Sequence, residues 1–137
     1  MTDIDGRINQ NIPEILNKSK NIAIVGLSQK PERQSHKVGL YIKNAGYNIF
    51  PVNPNYDSVL GLKCYKSLSD IPEPIDIVDI FRKSEDVLPI VQEAVKINAK
   101  TIWMQLGIKN EQAAKLALDA GMQVIMDHCI KIEHSNL

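Results

Sequence analysis

From Gly26 to Lys37 the chain reads Gly-Leu-Ser-Gln-Lys-Pro-Glu-Arg-Gln-Ser-His-Lys, a segment dense in hydroxyls and cations. Ser28, Lys30, Arg33, Ser35, His36 and Lys37 would run into the start of a helix. There the backbone N–H groups lack intrahelical partners and the helix dipole favours anions, while a guanidinium offers phosphate two parallel hydrogen bonds. The chemistry this predicts is the holding of a multiply charged phosphate ligand, the alternative being a solvated loop whose charges bind nothing. Arg82-Lys83 adds positive charge from a second place in the chain.

The other reactive cluster is Asp127-His128-Cys129, which has the residue types of a nucleophile, its base and an orienting acid. Adjacent residues on an extended segment point to opposite faces, so His128 and Cys129 are expected to diverge. Glu133 and His134 could approach Cys129 from the C-terminal tail, but a hydrogen-bonded terminus is the simpler reading. Asp76 and Asp79 are three apart on a strand, on opposite faces, and cannot pair as acid and base. A structural hydrogen bond is the expected role of Asp79. Cys64 and Cys129 belong to no CxxC, which argues against a disulfide framework or a zinc knuckle.

Positioning these groups requires a scaffold, and the hydropathy pattern supplies one. Residues 22–27 form a continuous apolar run ending in glycine, as a strand covered on both faces does. Ser35 is expected to cap a helix carrying Val38, Tyr41, Ile42 and Ala45 on one stripe, closed by Gly46. Strands follow at 47–52, at 75–80, at 101–104 and at 122–126, with 63–65 as a short edge strand. Helices begin at Ser84, with Pro89 near the first turn, and at the capping Asn110. Trp103, Met104 and Met126 read as core. Ile4, Ile8, Ile12, Ile15 and Leu16 suggest an added N-terminal helix, bent at Pro13. Strands joined by single helices need right-handed crossovers. The expected fold is therefore α/β, a three-layer doubly wound parallel sheet in the order 3-2-1-4-5-6. Its crevice should open beside the strands at 22–27 and 75–80, against Gly26-Leu27-Ser28 and Phe81-Arg82.

Length and charge narrow the function. A chain of 137 residues has room for one domain, residues 1–137, with its core at about 20–134. Sixteen basic residues balance sixteen acidic ones, so there is no net field for nucleic acid or anionic lipid. The acidic start Met1-Thr2-Asp3-Ile4-Asp5 does not resemble a secretory signal, and no window is apolar enough to span a membrane. A cytoplasmic location is expected. A nicotinamide dinucleotide is disfavoured, because Gly26-Leu27-Ser28 is not G-x-G-x-x-G and Asn53 stands where an acidic residue would bind the ribose.

Several stretches together resemble a known family: Ile24-Val-Gly-Leu-Ser28, Lys30-Pro-Glu-Arg33-Gln-Ser-His36, Pro51-Val-Asn-Pro54, Ile80-Phe-Arg82, Trp103-Met-Gln-Leu-Gly107 and Asp127 to His134. The chain is similar to the small stand-alone CoA-binding proteins, related to the CoA-binding domain of the succinyl-CoA synthetase α subunit, from about Lys20 to His134. The resemblance implies a Rossmann-like fold and coenzyme A, or a short acyl-CoA, as ligand. Carried over by position, Gly26, Leu27, Ser28, Lys30, Arg33 and Ser35 hold the phosphates. Val52, Asn53 and Pro54 lie beside the nucleotide end, and Phe81, Arg82 and Gln105 wall the adenine and the start of the pantetheine arm. Asn55 stands where relatives carry Lys. Gln34 replaces a frequent Pro and His128 a frequent Arg.

Acyl-CoA ligation in the synthetase needs a phosphorylated His on a further domain and a separate nucleotide-binding subunit. The expectation is thus a module without catalytic activity of its own, monomeric or a small homo-oligomer. The alternatives are a small enzyme acting on a CoA thioester and a dinucleotide-dependent reductase.

Overall fold

The computed structural model describes residues 4–137, so Met1, Thr2 and Asp3 of the acidic start lie outside it. Five parallel strands form the central sheet: β1 (Asn21–Val25), β2 (Asn48–Val52), β5 (Ile77–Ile80), β6 (Thr101–Met104) and β7 (Gln123–Met126). Their order is β2-β1-β5-β6-β7, so the chain reverses direction across the sheet between β1 and β5. Successive side chains alternate between faces, as the two-residue strand period demands. Ala23 and Val25 of β1 enter one apolar layer, with Val78, Ile80, Ile102 and Met104. Ile22 and Ile24 enter the other, with Ile77, Trp103 and Ile125.

Helices α3 (Val87–Lys96) and α4 (Glu111–Asp119) cover the first face through Val87, Val91, Ala94, Ala113, Ala114 and Ala117. Helices α1 (Ile12–Lys18), α2 (Gln34–Asn44) and α5 (Ile130–Ser135) cover the second through Leu16, Val38, Ile42 and Ile130. This is the expected three-layer arrangement. The Asn110 side chain caps α4 by accepting from Ala113 N at 2.9 Å.

Three local expectations need correction. The edge strand at 63–65 is instead part of a hairpin, β3 (Ser58–Val59) with β4 (Leu62–Lys63), and only Tyr65 reaches the sheet, by one parallel bridge to Val52. The sheet order therefore lacks its predicted outer strand. Ser35 does not cap α2. The N-cap is Arg33, without a side-chain cap, and Ser35 is buried in the first turn. The N-terminal helix starts only at Ile12, with Pro13 in its first turn, where the missing N–H costs nothing. Before it, Asn9 seals the exposed edge of β7: its N–H donates to Val124 O at 2.8 Å and its Oδ1 accepts from Met126 N at 2.7 Å. Ile4 and Ile8 are buried in the layer with α3 and α4. Among the described residues no helix is long and apolar enough to cross a membrane.

Candidate functional site

At the C-terminal ends of β1, β2 and β5 lies a cavity of about 450 Å³. Helix α2 follows β1 onto one face and α3 follows β5 onto the other, which leaves the crevice between them. Its base is set by Gly26, whose N–H donates to Val52 O at 2.8 Å while Phe81 N donates to Val25 O at 2.8 Å. Gly26 has φ +90°, and a Cβ there would stand 2.2 Å from the Phe81 carbonyl oxygen. Glycine is thus required twice, by conformation and by space.

The loop from β1 to α2 is held by its own side chains. Ser35 Oγ accepts from Ser28 N at 3.0 Å, and Ser28 Oγ accepts from Lys30 N at 3.1 Å. His36 Nδ1 lies 2.9 Å from Ser28 O and must carry the proton, since a carbonyl only accepts. Gln29 Nε2 ties the loop to Ser58 O of the hairpin at 2.7 Å. On the β2 side, Asn53 is buried. Its Nδ2 donates to Leu27 O at 3.2 Å and its Oδ1 accepts from Asn55 N at 3.0 Å. An Asx turn accounts for Asn53 where an NAD-binding protein would have an acid.

The loop contributes Gly26, Ser28, Lys30, Arg33, Gln34 and Ser35 to the cavity wall. The segment after β2 contributes Asn53, Asn55 and Tyr56, and that after β5 contributes Phe81, Arg82 and Lys83, with Ile108 arriving from the turn after β6. Four cations border this cavity and no carboxylate does. Among the described residues, Lys30, Arg33, Arg82 and Lys83 are in no ion pair. Cations gathered without counter-charge repel one another, so an anion placed among them is stabilised by all four.

Of the residues predicted from sequence, Gly26, Ser28, Lys30, Arg33, Ser35, Asn53, Phe81 and Arg82 meet at this cavity. Leu27 does not line it. It is fully buried, and its Cδ1 lies 2.9 Å from where a Cβ on Gly39 would stand. Val52 and Pro54 border instead a smaller neighbouring cavity of about 170 Å³, with Val25, Leu68 and Ile90, and Arg82 is shared between the two. Gln105 is 3% exposed and turned inward, its Nε2 donating to Asp79 Oδ1 at 2.6 Å. Tyr56 and Ile108 are not expected from the sequence as site residues, Asn55 and Gln34 enter there only as departures from the family pattern, and Lys83 enters with Arg82 as positive charge facing the crevice. Lys83 was readable from its place beside Arg82, whereas Tyr56 and Ile108 depend on how two loops fold back.

The C-terminal cluster does not converge. Asp127, at φ +64°, accepts from Gly107 N at 2.6 Å and pairs with Lys109 at 3.5 Å. The Gly107 N–H bond is the main cause holding its carboxyl below the usual range. His128 Nδ1 donates to Met126 O at 2.8 Å, and the His128 carbonyl accepts from Trp103 Nε1 at 2.9 Å. Cys129 is buried at the start of α5. His134 Nδ1 is 3.0 Å from the Tyr41 hydroxyl, between the edges of Tyr41 and Tyr47. Among the described residues no group of acidic, His or Cys side chains could hold a metal ion.

A family model described as a CoA binding domain matches residues 20–135. The chain is 47% identical over 124 residues to the uncharacterized protein YneT of Bacillus subtilis, covering 90% of this chain and 92% of that one. A hypothetical protein from Pyrococcus horikoshii superposes with a TM-score of 0.92 at 42% identity, covering 100% of this chain and 96% of the other. An ADP-forming acetate–CoA ligase of Methanocaldococcus jannaschii is 32% identical over 81 residues, 59% of this chain but only 12% of the ligase.

Proposed function

The chain belongs to the CoA binding domain family, and from that premise we propose that it binds coenzyme A or a short acyl-CoA in the crevice at the ends of β1, β2 and β5, without catalytic activity of its own. The observation that carries this reading is the unpaired cation set, Lys30, Arg33, Arg82 and Lys83, around a cavity with no lining carboxylate. Coenzyme A has a pyrophosphate and a 3′-phosphate, and the donors present suit both. Arg33 and the first N–H groups of α2 face the pyrophosphate. In this reading Arg82, shared between the two cavities, meets the 3′-phosphate, and the adenine lies against Val52, Pro54, Leu68 and Ile90 of the smaller one, whose Glu93 carboxylate is already held by the N–H groups of Leu68 and Ser69.

The absence of catalysis is inferred from commitments already made by the reactive groups. Asp127, His128 and Cys129 each serve a backbone contact or the core, so no base stands ready to activate the thiol. The chain is read as cytoplasmic and as a carrier or sensor of its ligand, acting as a monomer or small homo-oligomer. Mass spectrometry of the purified protein under non-denaturing conditions, with coenzyme A, acetyl-CoA or NADH added, tests the proposal. One coenzyme A per chain is the expected adduct. Retention of NADH in preference to coenzyme A would replace this reading with a dinucleotide-dependent one.

A further inference from the structure

Asp79 is an acid in the middle of the sheet. It is fully buried, and in register its neighbours are Ile24 on β1 and Trp103 on β6. One oxygen, Oδ1, accepts from Gln105 Nε2 at 2.6 Å, and the other, Oδ2, has no hydrogen-bond partner. The apolar layer on this face includes Leu16 of α1, Val38 and Ile42 of α2 and Ile130 of α5. The titratable groups in or against it are the thiols of Cys64 and Cys129, the phenols of Tyr41, Tyr47 and Tyr56, and, beyond Tyr41 and Tyr47, the imidazole of His134 and the Lys131 ammonium on α5. None of them acts on Asp79: burial pushes its carboxyl up to about 8, opposed only by the Gln105 hydrogen bond.

Gln105 ties this acid to the cavity. Its backbone carbonyl accepts from Ile108 N at 2.9 Å, closing a turn through Gly107, and Ile108 lines the cavity wall. We infer that Asp79 is a positioning residue for the ligand site: through its bond from Gln105 it sets the 105–108 turn and with it the cavity wall, and losing the carboxyl proton, which leaves a charged Oδ2 without a donor, weakens ligand binding. The physical reason is the second oxygen. A neutral carboxyl leaves one uncharged group unsatisfied, whereas a carboxylate leaves a charged oxygen bare in an apolar layer, at a far larger cost. The charged oxygen must recruit a donor, either by reorienting the Gln105 amide or by admitting water at the end of β6, and both routes disturb the turn.

The inference rests on the proposed binding of coenzyme A, and its test separates the two. Trp103 is the only tryptophan and lies level with Asp79, so its emission reports the proton without any ligand. The unliganded protein is expected to show an emission change with a midpoint near pH 8 that Asp79→Asn lacks. Gln105→Leu, which removes the bond that favours the carboxylate, should move that midpoint upward. If only the neutral form binds well, affinity for coenzyme A at pH 9 should be about tenfold weaker than at pH 7. Asp79→Asn should show less of that loss, because titration of the ligand and of surface lysines is common to both proteins. By reciprocity, saturating coenzyme A should raise the emission midpoint. An emission change that persists in Asp79→Asn, or equal pH dependence of affinity in the two proteins, overturns the inference. An intact emission change with no coenzyme A binding at either pH overturns the reading of the site, and the coupling with it.

Discussion

A Cβ built on Gly26 would stand 2.2 Å from the carbonyl oxygen of Phe81, so the turn after β1 and the end of β5 touch backbone to backbone at the floor of the crevice. Gly26→Ala must therefore either push β5 away or abandon φ +90°. The expected loss of stability is about 2–4 kcal/mol, from overpacking and a strained backbone together. Gly46→Ala is the control. Its φ is +105° but nothing lies within 4 Å, so only the backbone term, about 1 kcal/mol, should appear. Urea unfolding of both variants measures the difference, and equal losses would contradict the close approach.

Asp79 makes stability depend on pH in a fixed direction. Its carboxyl is raised from 3.8 to about 8 in the folded chain, so between those values the folded state holds a proton that the unfolded state releases. This group's contribution is full below about pH 4 and is lost as pH rises towards 8, with a slope of at most about 1.4 kcal/mol per unit. Unfolding free energies from pH 5 to 9 should thus fall more steeply for the native chain than for Asp79→Asn. Parallel curves would show that the acid is ionised throughout.

The two arginines are expected to separate by ligand. Losing one ionic contact to phosphate removes about 1.5–3 kcal/mol, or roughly 10–150-fold in affinity. Arg33→Ala should weaken coenzyme A and dephospho-coenzyme A alike. Arg82→Ala should weaken coenzyme A and leave dephospho-coenzyme A near its native affinity, erasing much of the preference between them. Calorimetric titration of each pair gives the answer, and a preference unchanged in Arg82→Ala would move the 3′-phosphate to Lys30 or Lys83.

Thioester turnover is a further check on the C-terminal cluster. Release of free thiol from acetyl-CoA or succinyl-CoA should stay at the rate of the buffer alone. Turnover abolished by Cys129→Ala or His128→Ala would show that these groups converge in solution despite their separate hydrogen bonds.

The sheet was legible because its strands are buried on both faces and read as apolar runs, Ile22 to Val25 and Thr101 to Met104 among them. The phosphate-facing loop was legible because its cations and hydroxyls are contiguous. What escaped depends on contacts between distant segments. Ser35 looks like a cap, yet its hydroxyl receives the N–H of Ser28, in the loop before the helix. Gln105 looks like a wall of the site, yet the buried Asp79 on the neighbouring strand turns it inward. Tyr56 and Ile108 reach the cavity only through the turn at Asn53, which Asn53-Pro54-Asn55 announces, and the turn at Gly107, and no local pattern tells which way either turn brings the chain back.

The central claim is that the unpaired cations around the crevice hold coenzyme A. Isothermal titration at moderate salt, with coenzyme A and then NADH against the native chain and Arg33→Ala, tests it most directly. One coenzyme A site per chain is expected, weakened about tenfold or more in Arg33→Ala, with little or no heat from NADH. Heat from NADH alone, or coenzyme A binding that Arg33→Ala leaves untouched, would contradict it.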